Sequence, residues 1–177
     1  MASAYQRAIG ALRAGGMTIR AVDIASMLAQ LVTASRTVMF YEGARFHADR
    51  YTQYGDRLQD LANLVRQGLQ ISDSTYDAAR REISDGRRRM VKLYKTTPVV
   101  LVPAAPGPAP RGLQSTGDSR MNAPWTAMGV PAISIPMPVG DALPLGLQLT
   151  AAHDDDARLL QGAVRIHRLL HRSPNPA

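Results

Sequence analysis

The sequence predicts an α/β fold, with a helical first half followed by short mixed-sheet strands and a terminal helix. Three observations carry this. All 12 prolines lie between Pro98 and Pro176, so none interrupts a helix in the first 97 residues. In that first part apolar residues recur at spacings of three and four, the period of an amphipathic helix. After Pro98 the apolar residues fall instead into short runs bounded by proline and glycine, as strands do.

The elements follow in order. Ser3 caps a short helix with Ile9 and Leu12 on its apolar side, and Gly15-Gly16 stops it. Met17 to Val22 reads as extended. Asp23 is placed to cap a second helix, on which Ile24, Met27, Leu28, Leu31, Ser35, Val38 and Met39 share one face. A third helix, from about Thr52 to Gln67, aligns Tyr54, Leu58, Leu61 and Val65. Ser72 caps a fourth, with Tyr76, Ala79, Ile83, Met90 and Leu93 on its stripe and Gly86 marking close packing or a weak point. Pro98 ends that helix at or before Thr97.

Val99–Val102 is apolar without alternation, which predicts a strand covered on both faces at an internal sheet position. Ala104 to Gly117 is rich in Pro and Gly and predicts a loop. Ala132–Ile135 and Leu145–Thr150 are two further strands. A last helix starts near Asp154–Asp156, buries Leu159, Leu160, Ala163, Ile166 and Leu170, and carries Arg165, Arg168 and Arg172 toward its end, matching the helix dipole. The organisation is therefore 1–97 mainly helical, 98–172 strand, loop and helix, and 173–177 a frayed tail around Pro174-Asn175-Pro176. So few strands leave the sheet edges open, and an open edge invites self-association.

Composition removes several chemistries. The chain has no cysteine, which excludes disulfides, thiol nucleophiles and thiolate metal or iron–sulfur sites. No run reaches the roughly 20 apolar residues of a membrane-spanning helix, and the first residues lack the pattern of a signal peptide. A cytoplasmic protein is expected. The net charge of +7 reflects 21 basic residues against 14 acidic ones. Arg80, Arg81 and Arg87 to Arg89 are the main argument for nucleic acid, but Glu82 and Asp85 lie among them and no stacking aromatics interleave. A solvated helix face, or an interface, is the better reading, with no specific nucleic-acid partner.

No cofactor and no metal is expected. His167 and His171 stand at i,i+4 without a third ligand nearby, and read as a solvated pair at a helix end. Asp154–Asp156 reads as a helix cap rather than a cation site. Ser115, Ser119 and Ser134 lack a local activating lysine, since the chain has only Lys92 and Lys95. No catalytic residue is assigned. Trp125 either lines a pocket or fills the core.

Several blocks in order carry a family resemblance: the apolar strand into Pro103; Ala109-Pro110 and Thr116-Gly117; Asn122-Ala-Pro-Trp-Thr-Ala-Met-Gly-Val-Pro-Ala132; Ile133-Ser-Ile-Pro136; Leu143-Pro-Leu-Gly-Leu-Gln-Leu149; and Asp156-Ala-Arg-Leu-Leu160 with Ala163. In these blocks the segment Pro98–Leu170 resembles the carboxy-terminal portion of the amidase signature family, serine hydrolases that cleave carboxamides. The helical first half, including Glu42, is compatible with that family but carries less specific motifs. The resemblance implies a partial amidase-signature fold. The family's nucleophilic serine, second serine and general-base lysine lie upstream of the matched region, and neither Lys92 nor Lys95 matches that lysine. The expectation is therefore a carboxy-terminal fragment lacking the serine–serine–lysine region and inactive alone, with one part of a split amidase or a small non-enzymatic α/β interaction protein as alternatives. The resemblance also places Met121, Asn122 and Trp125 beside the active-site cleft. Trp125 would supply an apolar wall, and Asn122 a donor and an acceptor to orient an amide substrate.

Overall fold

The computed structural model describes residues 1–171. It divides into two compact units, one formed by Ile24–Arg88 and the other by Met1–Asp23 with the chain from Arg89 onward. This division does not follow the change in composition at Pro98. The first helix shares a core with the sheet, and the helix ending at Tyr94 runs through the second boundary.

The Ile24–Arg88 unit contains α2 (Ala25–Phe46), α3 (Ala48–Tyr54), α4 (Asp60–Leu69) and most of α5 (Asp73–Tyr94). Met27, Leu31, Ala34 and Ala44 form the buried face of α2, whereas Met39 is exposed and leaves the predicted stripe. Ile24 occupies the cap position of α2 and no side chain caps it, so Asp23 does not play that part. Ser72 does cap α5: its Oγ accepts the Thr75 amide at 3.2 Å. The predicted third helix is broken in two. Gly55 closes α3 with φ 53°, a one-turn 3-10 helix covers Gly55–Leu58, and α4 begins only at Asp60. A glycine accepts that dihedral without a Cβ clash, which ends the helix despite continuous apolar spacing.

Small residues set the helix spacing here. A Cβ on Gly68 of α4 would lie 2.0 Å from the Phe40 carbonyl oxygen and 2.5 Å from the Ala44 Cβ, both on α2. A Cβ on Gly86 of α5 would lie 2.9 Å from Leu31, so Gly86 marks close packing. At the surface, α2 and the start of α5 are clasped by aromatic rings. Tyr41 and Tyr76 stack with centroids 4.0 Å apart; Tyr41 donates to Asp73 at 2.7 Å and Tyr76 to Glu42 at 2.6 Å. Each carboxylate hydrogen bond holds its phenol above the ordinary tyrosine range.

The other unit is built on three strands, β1 (Val100–Pro103), β2 (Ala132–Met137) and β3 (Leu145–Thr150), in the order β1-β3-β2. Both pairings are antiparallel. This corrects two expectations: the sheet is not mixed among the described residues, and β1 is an outer strand. Its unbroken apolarity has another cause. Leu101 packs against the core cluster while its neighbour Val100 is buried on the opposite face.

Leu147, Leu149 and Ala151 project to one side, with Ile135 and Met137 of β2. There they meet Ala4, Ala8 and Leu12 of α1 (Ala2–Ala14) and Leu159, Ala163, Ile166 and Leu170 of α7 (Asp156–Leu170). Ser3 lies inside α1 rather than capping it, and Leu160 is exposed. Met17 to Val22 forms no strand; within it, Arg20 reaches the hydroxyls of Thr96 and Thr97. Residues 104–117 form the predicted loop. Arg172 and the expected frayed tail lie outside the described residues.

The opposite face of the sheet carries the two buried polar side chains found among the described residues, Gln148 and Thr150. Thr150 Oγ1 shares a 2.8 Å hydrogen bond with the Tyr94 hydroxyl, and burial pushes the Tyr94 pKa up to about 12.

Two outcomes follow for stability. Gly68→Ala should destabilise the protein by about 1–3 kcal/mol in chemical denaturation, because overpacking outweighs the gain of about 1 kcal/mol in helix propensity; an unchanged midpoint would show that α2 and α4 yield. The raised pKa of Tyr94 contributes stability that is complete below about pH 10, the unfolded value, and is lost as pH rises through about 12. Denaturation midpoints should fall across that window and fall less in Tyr94→Phe.

Candidate functional site

The turn preceding α6 gathers the predicted site residues. Ser119–Met121 forms a 3-10 turn and Ala123–Met128 forms α6, with Asn122 at the junction. Sequence reading missed both elements. The signals were Pro124 in the first turn of α6 and Gly129 at its end, in the left-handed region at φ 65°.

Three sets of contacts hold the turn. Asp118 caps the 3-10 helix, accepting the Arg120 amide at 2.8 Å and the Arg120 Nε at 2.6 Å. The Arg120 guanidinium holds the Asp118 carboxyl below the usual carboxylate range. The Asn122 carbonyl accepts the amides of Trp125 and Thr126, both at 3.1 Å, and so starts α6. From the sheet, Gln148 Nε2 donates to the Met121 carbonyl oxygen at 3.0 Å.

The three predicted residues therefore sit together but present different surfaces. Asn122 is exposed and its side chain makes no cap hydrogen bond. Met121 is half-buried. Trp125 is only 2% exposed, so its ring is buried. Of the two readings of Trp125, core filling describes what is seen.

The remaining sequence features are placed elsewhere. Ser115, Ser119 and Ser134 are exposed, as are Lys92 and Lys95 near the end of α5. The His167 and His171 rings lie 4.4 Å apart, and His171 Nε2 lies 3.2 Å from the Pro136 carbonyl oxygen. Among the described residues, no group of three or more His, Asp or Glu could hold a metal ion. The acidic run does not cap α7 through a side chain: Asp154 pairs with His153 at 3.0 Å and Asp155 with Arg158 at 3.3 Å. In the basic group, Arg88 pairs with Asp85, and Arg80 lies over the Tyr76 ring. No helix among the described residues is long and apolar enough to cross a membrane.

Comparison with known proteins bears on the whole chain. The amidase family model matches residues 1–160 of 177. A glutamyl-tRNA(Gln) amidotransferase subunit of Lysinibacillus sphaericus (strain C3-41) is 28% identical over 153 residues, which is 73% of this chain and 31% of that protein. Its counterpart of the same name from Tropheryma whipplei (strain TW08/27) is 32% identical over 105 residues, 55% of this chain and 20% of that one. The chain thus spans less than a third of the length of these relatives. A crystal structure of an amidase superposes with a TM-score of 0.79 at 24% identity, over 89% of this chain and 39% of its own. The structure of 6-aminohexanoate cyclic dimer hydrolase with substrate gives a TM-score of 0.72 at 21% identity, over 98% and 42%. At such identities the structural likeness shows the fold.

These findings correct linked expectations. The chain was expected to resemble only a carboxy-terminal portion of the family, with specific motifs only after Thr97; the match instead begins at residue 1 and takes in α1 to α5. The chain follows the amidase-signature α/β fold along nearly its whole length, which corrects the expectation of a partial fold. The motifs of the first half are less specific because a helix carries its identity in a burial pattern spread over many positions. The reading of a fragment inactive alone, with its alternatives of one part of a split amidase and a non-enzymatic interaction protein, rested on the serine–serine–lysine region lying outside the chain, and the family match over residues 1–160 corrects it. With the match running from residue 1 through the Asn122 turn and β3 to residue 160, the chain belongs to the amidase family.

Proposed function

We propose that the protein acts in the hydrolysis of a carboxamide C–N bond, and that the turn at Met121 and Asn122 forms the substrate side of the site. The observation that most supports this reading is the continuous amidase match, within which the exposed Asn122 sits on a rigidly held turn. A carboxamide side chain suits an amide ligand because each offers one carbonyl acceptor and N–H donors, so the pair forms complementary hydrogen bonds. Trp125, buried on the first turn of α6, anchors that helix beside Asn122.

Two finer elements belong to the same proposal. The protein works in the cytoplasm, which accords with its lack of cysteine. It also self-associates through an open sheet edge: β1 and β2 are the outer strands among the described residues, and each holds a proline, Pro103 and Pro136, that lacks an amide donor. A concentration series in light scattering should then show a dimer; a monomer throughout would remove the edge from the proposal.

The site reading is tested by titrating the purified chain with benzamide and assaying ammonia release from a panel of aliphatic and aromatic amides. Asn122→Ala should weaken benzamide binding about tenfold, the equivalent of roughly 1.4 kcal/mol for a lost hydrogen-bond pair. Equal affinity in the variant would overturn the substrate role of Asn122. Absence of ammonia release across the panel would overturn the reaction class.

A further inference from the structure

We infer that Gln148 is the positioning residue of the Asn122 site, acting through the peptide group between Met121 and Asn122; this inference rests on the substrate-side reading above. Gln148 lies in the middle of β3, the strand that pairs on both sides, opposite Val102 in one register and Ser134 in the other. Its neighbours Leu147 and Leu149 point into the apolar core, so Gln148 projects to the opposite face of the sheet. There it is 5% exposed. A buried carboxamide is unfavourable without a partner, and its hydrogen bond is to the Met121 carbonyl, 27 residues upstream.

That bond is one half of a lock. The carbonyl of the Met121–Asn122 peptide accepts from Gln148 at 3.0 Å, and the N–H of the same peptide donates to the Ser119 carbonyl at 2.8 Å. With both polar atoms of one peptide plane engaged, the plane cannot rotate freely, and the direction in which Asn122 leaves the backbone is set. The Ser119 contact is local, within the turn. The Gln148 contact ties the turn to the most enclosed strand of the sheet. The space beside Gln148 is kept narrow: a Cβ on Gly146, two residues earlier, would lie 2.4 Å from Ser134 Oγ and 2.8 Å from the Ala104 Cβ. A well-packed sheet gives the glutamine a fixed base from which to donate.

Gln148→Met keeps the length of the side chain and removes the donor; Gln148→Glu keeps the shape and replaces the donor with an acceptor. In the full chain, amide exchange of Asn122 should quicken at least tenfold in both variants, while exchange along α7 stays as in the parent. Benzamide affinity should fall several-fold in each, and the same substitutions should have no further effect when Asn122 is already alanine. Unchanged Asn122 exchange would overturn the inference whatever happens to binding. An equal loss of affinity with and without the Asn122 side chain would also overturn it, since Gln148 would then act on the fold at large. If Asn122→Ala alone leaves benzamide binding untouched, the substrate-side reading fails instead, and the exchange result alone decides whether Gln148 holds the turn. Should Gln148→Met fail to fold, Gln148→Asn, which retains the amide but withdraws it from the Met121 carbonyl, gives the same reading by exchange.

Discussion

Strand β3 hydrogen-bonds to a neighbour on each side, and its alternation assigns opposite roles to the two faces of the sheet. Leu147, Leu149 and Ala151 pack against α1 and α7, and no polar atom of theirs needs a partner beyond the backbone. Gln148 and Thr150, one step out of phase, bring a carboxamide and a hydroxyl to the other face. Because the side-chain period is two, a slip of one residue would bury two polar groups among leucines and carry the leucines to the face that holds the partners of Gln148 and Thr150. The apolar core thus fixes the register, and the register fixes where the polar anchors point.

Those anchors connect the sheet to two segments distant in sequence. Thr150 meets Tyr94 at the end of α5, and Gln148 meets the turn before α6. The separations, 56 and 27 residues, mean that neither contact forms until the chain has folded back on itself. Each contact also carries a directional requirement that apolar packing lacks: a donor and an acceptor must align. Burial supplies the cohesion of this unit, while the two hydrogen bonds tie the end of α5 and the turn before α6 to β3.

Much of the secondary structure was legible from periodicity. The buried stripes of α5 and α7 follow the apolar spacing, and the strands lie close to the proline-bounded runs. What escaped depended on tertiary context. The apolar run at β1 suggested an internal strand because composition reports coverage, not the number of hydrogen-bonded neighbours; Val100 and Leu101 are covered on an outer strand. The helix break at Gly55 left the apolar spacing undisturbed and so was invisible to it. The family resemblance singles out Met121, Asn122 and Trp125 together, but that Asn122 is exposed and Trp125 buried depends on how α6 packs. Gln148 lay inside a quoted motif, yet its contact with Met121 spans the long loop and has no local signature.

The approach of α4 to α2 has a different kind of consequence. The contact at Gly68, Phe40 and Ala44 is made by a bare backbone carbonyl, a methyl group and a residue with no side chain. Substitution at Gly68 can only add atoms, because there is nothing left to remove. Tolerance at this crossing is therefore one-sided: a leucine in a core can shrink or change shape, whereas this position has a single size that fits. Repacking to admit a larger residue would require the helices to separate along their length, which changes every contact between them at once. Substitution in the Ile24–Arg88 unit should consequently be more restricted at this crossing than on the exposed faces of its helices.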